Sequence, residues 1–415
     1  MSTRILVLGG RRTVQRLQEE TGYDVVFAEE NMTLEQLMLA DYPLEVDFGD
    51  WGAVVGQVAA VHAQQPFQAV VTGVERLVPL AGRLRKELGL AHGITERAAR
   101  DCIDKAATHR LLEAAGVPVP RTRTVSGAGE GGEAAEELGL PVVVKPRDAS
   151  SAAGLAYCAT RAEAERAVAA VLAGGRESAL LEEYVRGPEF GVFAARTAGV
   201  TRVLWVVEGE VGPPPTFVKV GGHFPARLGT EDRAELDRLV DRALDAVGLD
   251  DWVAALQFTL TADGWRAGEI NPRVPGGQAV EMIRSTTGWE PSLVAAEAAL
   301  GRYGEPRAAD AACGLYRSIV FEEAGRIDYD ASAVGAFREL ESPHPPFVEF
   351  DVAPGESVLP VGHPRGGAFG RIVLAGESPG QLARDLERIT AQLAVRLVDE
   401  QVEEASVDRA HTSCC

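Results

Sequence analysis

Cysteine is scarce. The 415 residues hold five, Cys102, Cys158, Cys313, Cys414 and Cys415, with no metal-type spacing among them. The terminal pair reads as a frayed tail, and a reducing cytoplasm is the economical setting. Positive charge is also short: 41 Lys and Arg stand against 61 Asp and Glu, for a net charge of −20. That argues against nucleic-acid or anionic-membrane partners, and a nucleotide-sized anion would need lysines and arginines gathered locally. No run approaches the roughly 18–20 apolar residues of a membrane span. MSTRILVLGG is too short an apolar stretch for a signal peptide and reads as a first strand. The full glycine fingerprint of a dinucleotide fold is missing too. Arg11 and Val14 stand where its later glycines belong, so Gly9-Gly10 reads as a tight strand-to-helix turn.

What remains is an ordinary globular composition, 46% hydrophobic and 25% charged, long enough for two to four subdomains. One stretch stands out. In Ala254–Gly277, Leu256, Phe258 and Leu260 alternate with Gln257, Thr259 and Thr261, the period of a half-buried strand. Ala262-Asp263-Gly264 suits a three-residue hairpin loop. That register sets Thr261 opposite Trp265 and Gln257 opposite Glu269, while Glu269 and Asn271 share a strand face. Three oxygen-bearing side chains thus converge, and Pro272 and Arg273 follow. Such a set suits Mg²⁺ held against phosphate, because Mg²⁺ takes one or two carboxylates plus phosphate oxygens. The plain alternative is a solvated polar strand face.

Elsewhere, Arg4–Leu8, Asp24–Ala28 and Ala69–Thr72 read as strands of a small parallel α/β unit. Glu75 follows the third of these and could face the cleft, although a solvated surface role is the plainer reading. Ile94–Pro120 reads as a helical pair, with a 3.6-residue apolar period running from Arg100 to Ala115 and a stop at Gly116 to Pro120. Residues 126–133 read as a glycine-rich loop before a short helix. Leu140–Val144 is a strand that delivers Lys145 to a loop, as a phosphate clamp needs. The small residues of 148–154 would let backbone N–H groups close over phosphate; a plain turn is the other reading. Arg161–Ala173 is helical, Ala179–Val185 is a strand, and Glu231–Val247 is helical. Helices follow at 278–288 and 290–300. After about Arg307, short strands (GLYRSIVF, FVEFDV, GRIVLA) alternate with turns before a helix over 379–396.

QFTL…GEINPRVPGG resembles the metal-binding end of the ATP-grasp superfamily, whose ligases activate a carboxylate with ATP. DKAATHRLLEAAGVPVPRT resembles the entry to that domain, and ALLEEYV with EFGVF resembles its adenine-lining hinge. The resemblance covers about residues 95–305 well and the flanks loosely. It implies an α/β (α+β) ATP-grasp fold with three parts. These are a Rossmann-like N-terminal domain at 1–95, the ATP-grasp domain at 96–305 with a lid subdomain at about 120–185, and a strand-rich C-terminal subdomain at 306–415. The last is similar to that of L-amino-acid ligases.

The resemblance also implies roles. Lys105 and Lys145 would contact phosphates, and Ser150, Ser151 and Gly154 would line the closing loop. Glu182 and Glu183 would lie at the adenine edge, Val185 would offer its backbone N–H, and Glu189 would hold the ribose. Lys219 would reach the phosphates. Gln257, Glu269 and Asn271 would hold Mg²⁺, or Mn²⁺ in its place. Arg273 and His223 would stabilise the reacting acyl group. The commonest pattern has Glu where Gln257 stands; Gln there resembles the carbamoyl-phosphate synthetase version. The implied activity is ATP-dependent joining of a carboxylate to an amine through an acyl phosphate. The implied partners are small-molecule carboxylate and amine substrates, with no nucleic acid, no membrane and a homodimer as the compatible assembly. A bicarbonate-activating enzyme and a non-catalytic ATP-binding module are the alternatives.

Overall fold

A computed structural model describes residues 2–147, 154–212, 214–215, 217–363 and 366–398. The chain opens with four parallel strands, β1 (Arg4–Leu8), β2 (Asp24–Glu29), β3 (Tyr42–Glu45) and β4 (Ala69–Val71), in the order β3-β2-β1-β4. Four helices accompany them: α1 (Arg11–Glu20), α2 (Leu34–Leu39), α3 (Trp51–Gln64) and α4 (Val78–Glu87). Every residue of β1 is buried, as a central parallel strand demands. Gly9 and Gly10 make the turn into α1 at φ +59° and +80°, the left-handed region that glycine enters without penalty. The sequence pattern shows only three of these strands. The fourth, β3, contains Pro43, which is tolerated because β3 is an edge strand, where a missing N–H costs no ladder bond.

The expected helical pair over 94–120 is present, but its apolar period from Arg100 to Ala115 does not run through one helix. It divides into α5 (Glu96–Ile103) and α6 (Lys105–Ala114) at Asp104. The Asp104 carboxylate accepts from the N–H groups of Ala106 and Ala107, and this cap starts a new helix with Lys105 as its first residue. A local side-chain cap thus overrides a pattern that carries on past it.

A second, antiparallel sheet follows: β5 (Thr122–Val125), β6 (Val142–Pro146), β7 (Ala156–Cys158) and β8 (Ala179–Glu183), ordered β5-β8-β6-β7. Helices α7 (Ala128–Leu138) and α8 (Arg161–Ala173) pack on it around Leu138, Val142, Val144, Val168 and Leu181. The stretch 126–133 is therefore mostly helix, not loop. Gly131 serves packing: a Cβ there would sit 2.6 Å from Val168.

The third sheet has eight strands, all antiparallel to their neighbours. They are β9 (Glu189–Thr197), β10 (Val200–Val211), β11 (Lys219–Phe224), β12 (Trp252–Thr261), β13 (Gly264–Asn271), β14 (Cys313–Ser318), β16 (Phe347–Phe350) and β18 (Gly370–Gly376). Their order is β13-β12-β9-β10-β11-β14-β18-β16, so the C-terminal strands continue the sheet of the hairpin. Helices α9 (Thr230–Ala246), α10 (Gln278–Thr287) and α11 (Pro291–Ala299) lie between these strands in the chain, and α12 (Pro379–Leu393) follows the last of them. Three short strands, β15 (Gly325–Asp328), β17 (Ser357–Val358) and β19 (Arg396–Leu397), form a separate small sheet. Among the described residues, no helix is long and apolar enough to cross a membrane.

Candidate active site

The site grows from the β12–β13 hairpin, and the expected register holds at only one end of it. Near the turn, Thr261 pairs with Gly264 and Leu260 with Trp265, so the loop is two residues, Ala262-Asp263, not three. Toward the other end, Gln257 pairs with Glu269 as expected. A bulge at Gly268 reconciles the two. It shifts the phase of β13 by one residue. Trp265, Ala267 and Ile270 are consequently all in the core, opposite Leu260, Phe258 and Leu256. Glu269 turns to the same face as Gln257, and Asn271 joins it, its amide donating to Glu269 Oε1 at 3.1 Å.

Cations gather on this face from three elements. Lys105, at the start of α6, brings Nζ to 3.8 Å from Glu269 Oε2. Lys145, in β6, and Lys219, at the start of β11, act on the same carboxylate. Burial pushes the Glu269 carboxyl up, but Lys105, the Asn271 amide, Lys145 and Lys219 together outweigh it. The carboxyl is held below its ordinary range and stays ionised. Glu189, at the start of β9, goes the other way: burial raises it, Lys219 opposes and Glu269 adds to the rise.

Lys145 is ion-paired with Glu182 of β8, and both side chains are largely buried. Glu183, next along β8, faces away and pairs with Arg121 at 2.6 Å. The two glutamates therefore do not act as a pair. The strand ends at Glu183, which leaves Val185 in the β8–β9 connection. Arg147, just beyond Lys145, pairs with Asp104, and its carbonyl accepts from Lys105 N–H at 3.1 Å. The four-stranded sheet is thus tied to the first turn of α6. Gly154 is left-handed at φ +73°; Ser150 and Ser151 lie outside the described residues.

Arg273 is not open to the cleft on every side. Its Nε donates to Glu75 Oε2 at 3.0 Å, Nη2 lies 2.9 Å from the same oxygen, and Nη1 donates to Val274 O at 3.0 Å. Glu75 is 14% exposed. This overturns the expectation of a solvated surface residue, because the turn after β4 aims it at a residue 198 positions away. His223, on β11, stands opposite Glu208 of β10, its Nε2 3.4 Å from Glu208 Oε2 and its Nδ1 3.6 Å from Glu210 Oε1. No hydrogen bond or ion pair joins His223 to Arg273 among the described residues.

His109 escaped the sequence reading. It is 2% exposed, its Nε2–H donates to Gly268 O at 2.9 Å, and the same nitrogen is 3.3 Å from Glu182 Oε1. Its position four residues after Lys105 was the available signal, since i and i+4 share a helix face.

No cluster of three His, Cys, Asp or Glu side chains that could hold a metal ion occurs among the described residues. A divalent cation here would rely on amide oxygens beside one carboxylate.

Two sheets meeting at a lysine-rich, carboxylate-neutralised face define a nucleotide-clamping class of fold. Residues 138–282 match the family model described as an ATP-grasp domain. Residues 138–282 thus carry an ATP-grasp domain. Among curated relatives, it is 32% identical over 162 residues to a D-alanine–D-alanine ligase of Delftia acidovorans, covering 37% of this chain and 49% of that one. The first relatives it matches are spanned over 65% and 50% of their own lengths. Among solved structures, an L-amino acid ligase from Bacillus licheniformis superposes with a TM-score of 0.77 at 19% identity, over 97% of this chain and 99% of that one. A biotin carboxylase–ATP-analogue complex from Campylobacter jejuni gives 0.68 at 16% identity, over 96% and 93%. At these identities the structural likenesses establish the fold.

Proposed function

We propose that the protein is an ATP-dependent carboxylate–amine ligase acting on an amino acid or similar small polar acid, with ATP and Mg²⁺ as its cofactors. One observation carries the reading: Lys105, Lys145 and Lys219 converge on a carboxylate, Glu269, that stays ionised despite burial. Such a face is balanced for a phosphate chain arriving with a divalent ion. Lys105 and Lys145 would exchange their carboxylate partners for α/β-phosphates, with Lys219 nearer the transferred group. Val185 N–H and Glu182 would meet adenine, Glu189 the ribose, and the 148–154 segment the phosphates.

Glu269, Asn271 and Gln257 would hold Mg²⁺, which supplies charge neutralisation between phosphates when bound. The substrate carboxylate oxygen attacks the γ-phosphorus and ADP leaves. The amine nitrogen then attacks the acyl carbon, phosphate leaves, and the nitrogen gives up its proton. Arg273 and His223 would stabilise the acyl group, and the Glu75 contact fixes the Arg273 fork.

The test is a screen of carboxylates with ATP, Mg²⁺ and hydroxylamine, read by mass spectrometry for hydroxamate and by ADP release. A hydroxamate matched by ADP is expected for one class of acid, and Arg273→Ala abolishes it while ATP affinity stays within a few-fold. ADP formed only with bicarbonate would favour the second reading, which the Gln257 variant and the biotin-carboxylase likeness support. No hydroxamate with any acid would set the ligase reading aside.

A further inference from the structure

The segment Gly268–Pro272 carries both Glu269 and Asn271, and each of its ends is held by a buried ring N–H. At the bulge, Gly268 O accepts from His109 Nε2 at 2.9 Å. At the far end, Pro272 O accepts from Trp252 Nε1 at 2.7 Å. Both rings are buried, at 2% and 1% exposure. A carbonyl oxygen only accepts, so His109 must carry its hydrogen on Nε2. Its Nδ1 has no hydrogen-bond partner among the described residues. The bulge sends Glu269 to the cleft face rather than into the core, and it survives only if its carbonyl is satisfied away from water.

We propose that His109 and Trp252 are positioning residues for the metal-binding pair Glu269 and Asn271. This rests on the Mg²⁺ reading of that pair. His109 has a further link, since Glu182, 3.3 Å from its Nε2, also holds Lys145. One imidazole therefore bridges the helix of Lys105, the strand of Glu182 and the bulge beside Glu269. A histidine that merely filled core space would be replaced by leucine without consequence for the metal.

The test is Mn²⁺ binding, followed by electron paramagnetic resonance, to the full chain with a non-hydrolysable ATP analogue. His109→Leu keeps the bulk and loses the donor; Mn²⁺ affinity falls about 10–100-fold, the range for lost outer-shell partners. His109→Gln supplies an amide donor of similar reach and stays within about threefold of wild type. Trp252→Phe also weakens Mn²⁺ binding, while metal-free ADP affinity is unchanged, because the bond it removes is the one to the Pro272 carbonyl. If His109→Leu does not fold by thermal unfolding, the Gln and Phe variants decide. Folded His109→Leu or Trp252→Phe variants that bind Mn²⁺ within twofold of wild type would overturn the inference alone. A wild type that binds no Mn²⁺ with the analogue would overturn the metal reading and the inference together.

Discussion

Glu189 feels the charge of Glu269, yet the two are displaced in opposite directions, and the difference can be measured. Glu189 is raised chiefly by burial. Its folded form binds a proton more readily than its unfolded form, so stability falls as pH rises through the ordinary carboxylate range to its raised value. At neutral pH the full penalty is present. Glu189→Gln should therefore raise Tm of the nucleotide-free protein at pH 7.5, and the gain should disappear at about pH 4. An equal gain at both pH values would mean that charge is not its source. Glu269 is lowered, so its contribution is present at neutral pH and is lost only as pH falls through a value below the ordinary range. Lys145 raises a different question, because it serves both fold and site. Lys145→Ala strands Glu182 in a buried position, at a cost of about 3–5 kcal/mol by urea denaturation. The double variant Lys145→Met/Glu182→Leu should regain most of that stability and still fail to bind ATP. Recovery of ATP binding in the double variant would remove Lys145 from the phosphates.

At the scale of elements, the sequence showed what depends on periodicity and concealed what depends on a single side chain. Helix α8 and the bounds of β1 are legible because capping and apolar runs are local. The facing of Gln257 and Glu269 was legible as well, but by compensation: a turn one residue shorter than expected and a bulge one residue long cancel. Alternation alone does not reveal Gly268 as an extra residue, since the bulge is held by His109 from another element. The Glu75–Arg273 pair was hidden for the same reason, as only the docking of the parallel sheet brings its partners together. Asp104 is the clearest case of a local signal beating a longer one, and it makes a prediction. Asp104→Ala loses the cap on Ala106 and Ala107 and the partner of Arg147. It should cost about 1–2 kcal/mol in urea unfolding. It should also loosen the four-stranded sheet from α6, seen as faster amide exchange in β6. A loss of stability with β6 exchange unchanged would confine its role to the helix.

The whole molecule is joined more tightly at its C-terminal side than a boundary near residue 306 suggests. β14 pairs with β11 through Gly221–Arg317, Gly222–Tyr316, His223–Leu315 and Phe224–Gly314. Tyr316 is 4% exposed and packs with Trp205, Phe193, Met282 and Val294, all contributed from before residue 306. A chain ending at residue 305 would leave β11, which carries Lys219 and His223, as an unpaired edge, and would uncover that core. Exposed edges and apolar faces of this kind favour aggregation over independent folding. The fragment 1–305 should therefore be insoluble or lack a cooperative urea transition, although it holds every candidate site residue. In the full chain, amides of Gly222 and Tyr316 should exchange at similar rates, because opening either strand opens both. A soluble fragment 1–305 that binds Mg·ATP as tightly as the full chain would show that the strands after residue 306 only decorate the sheet.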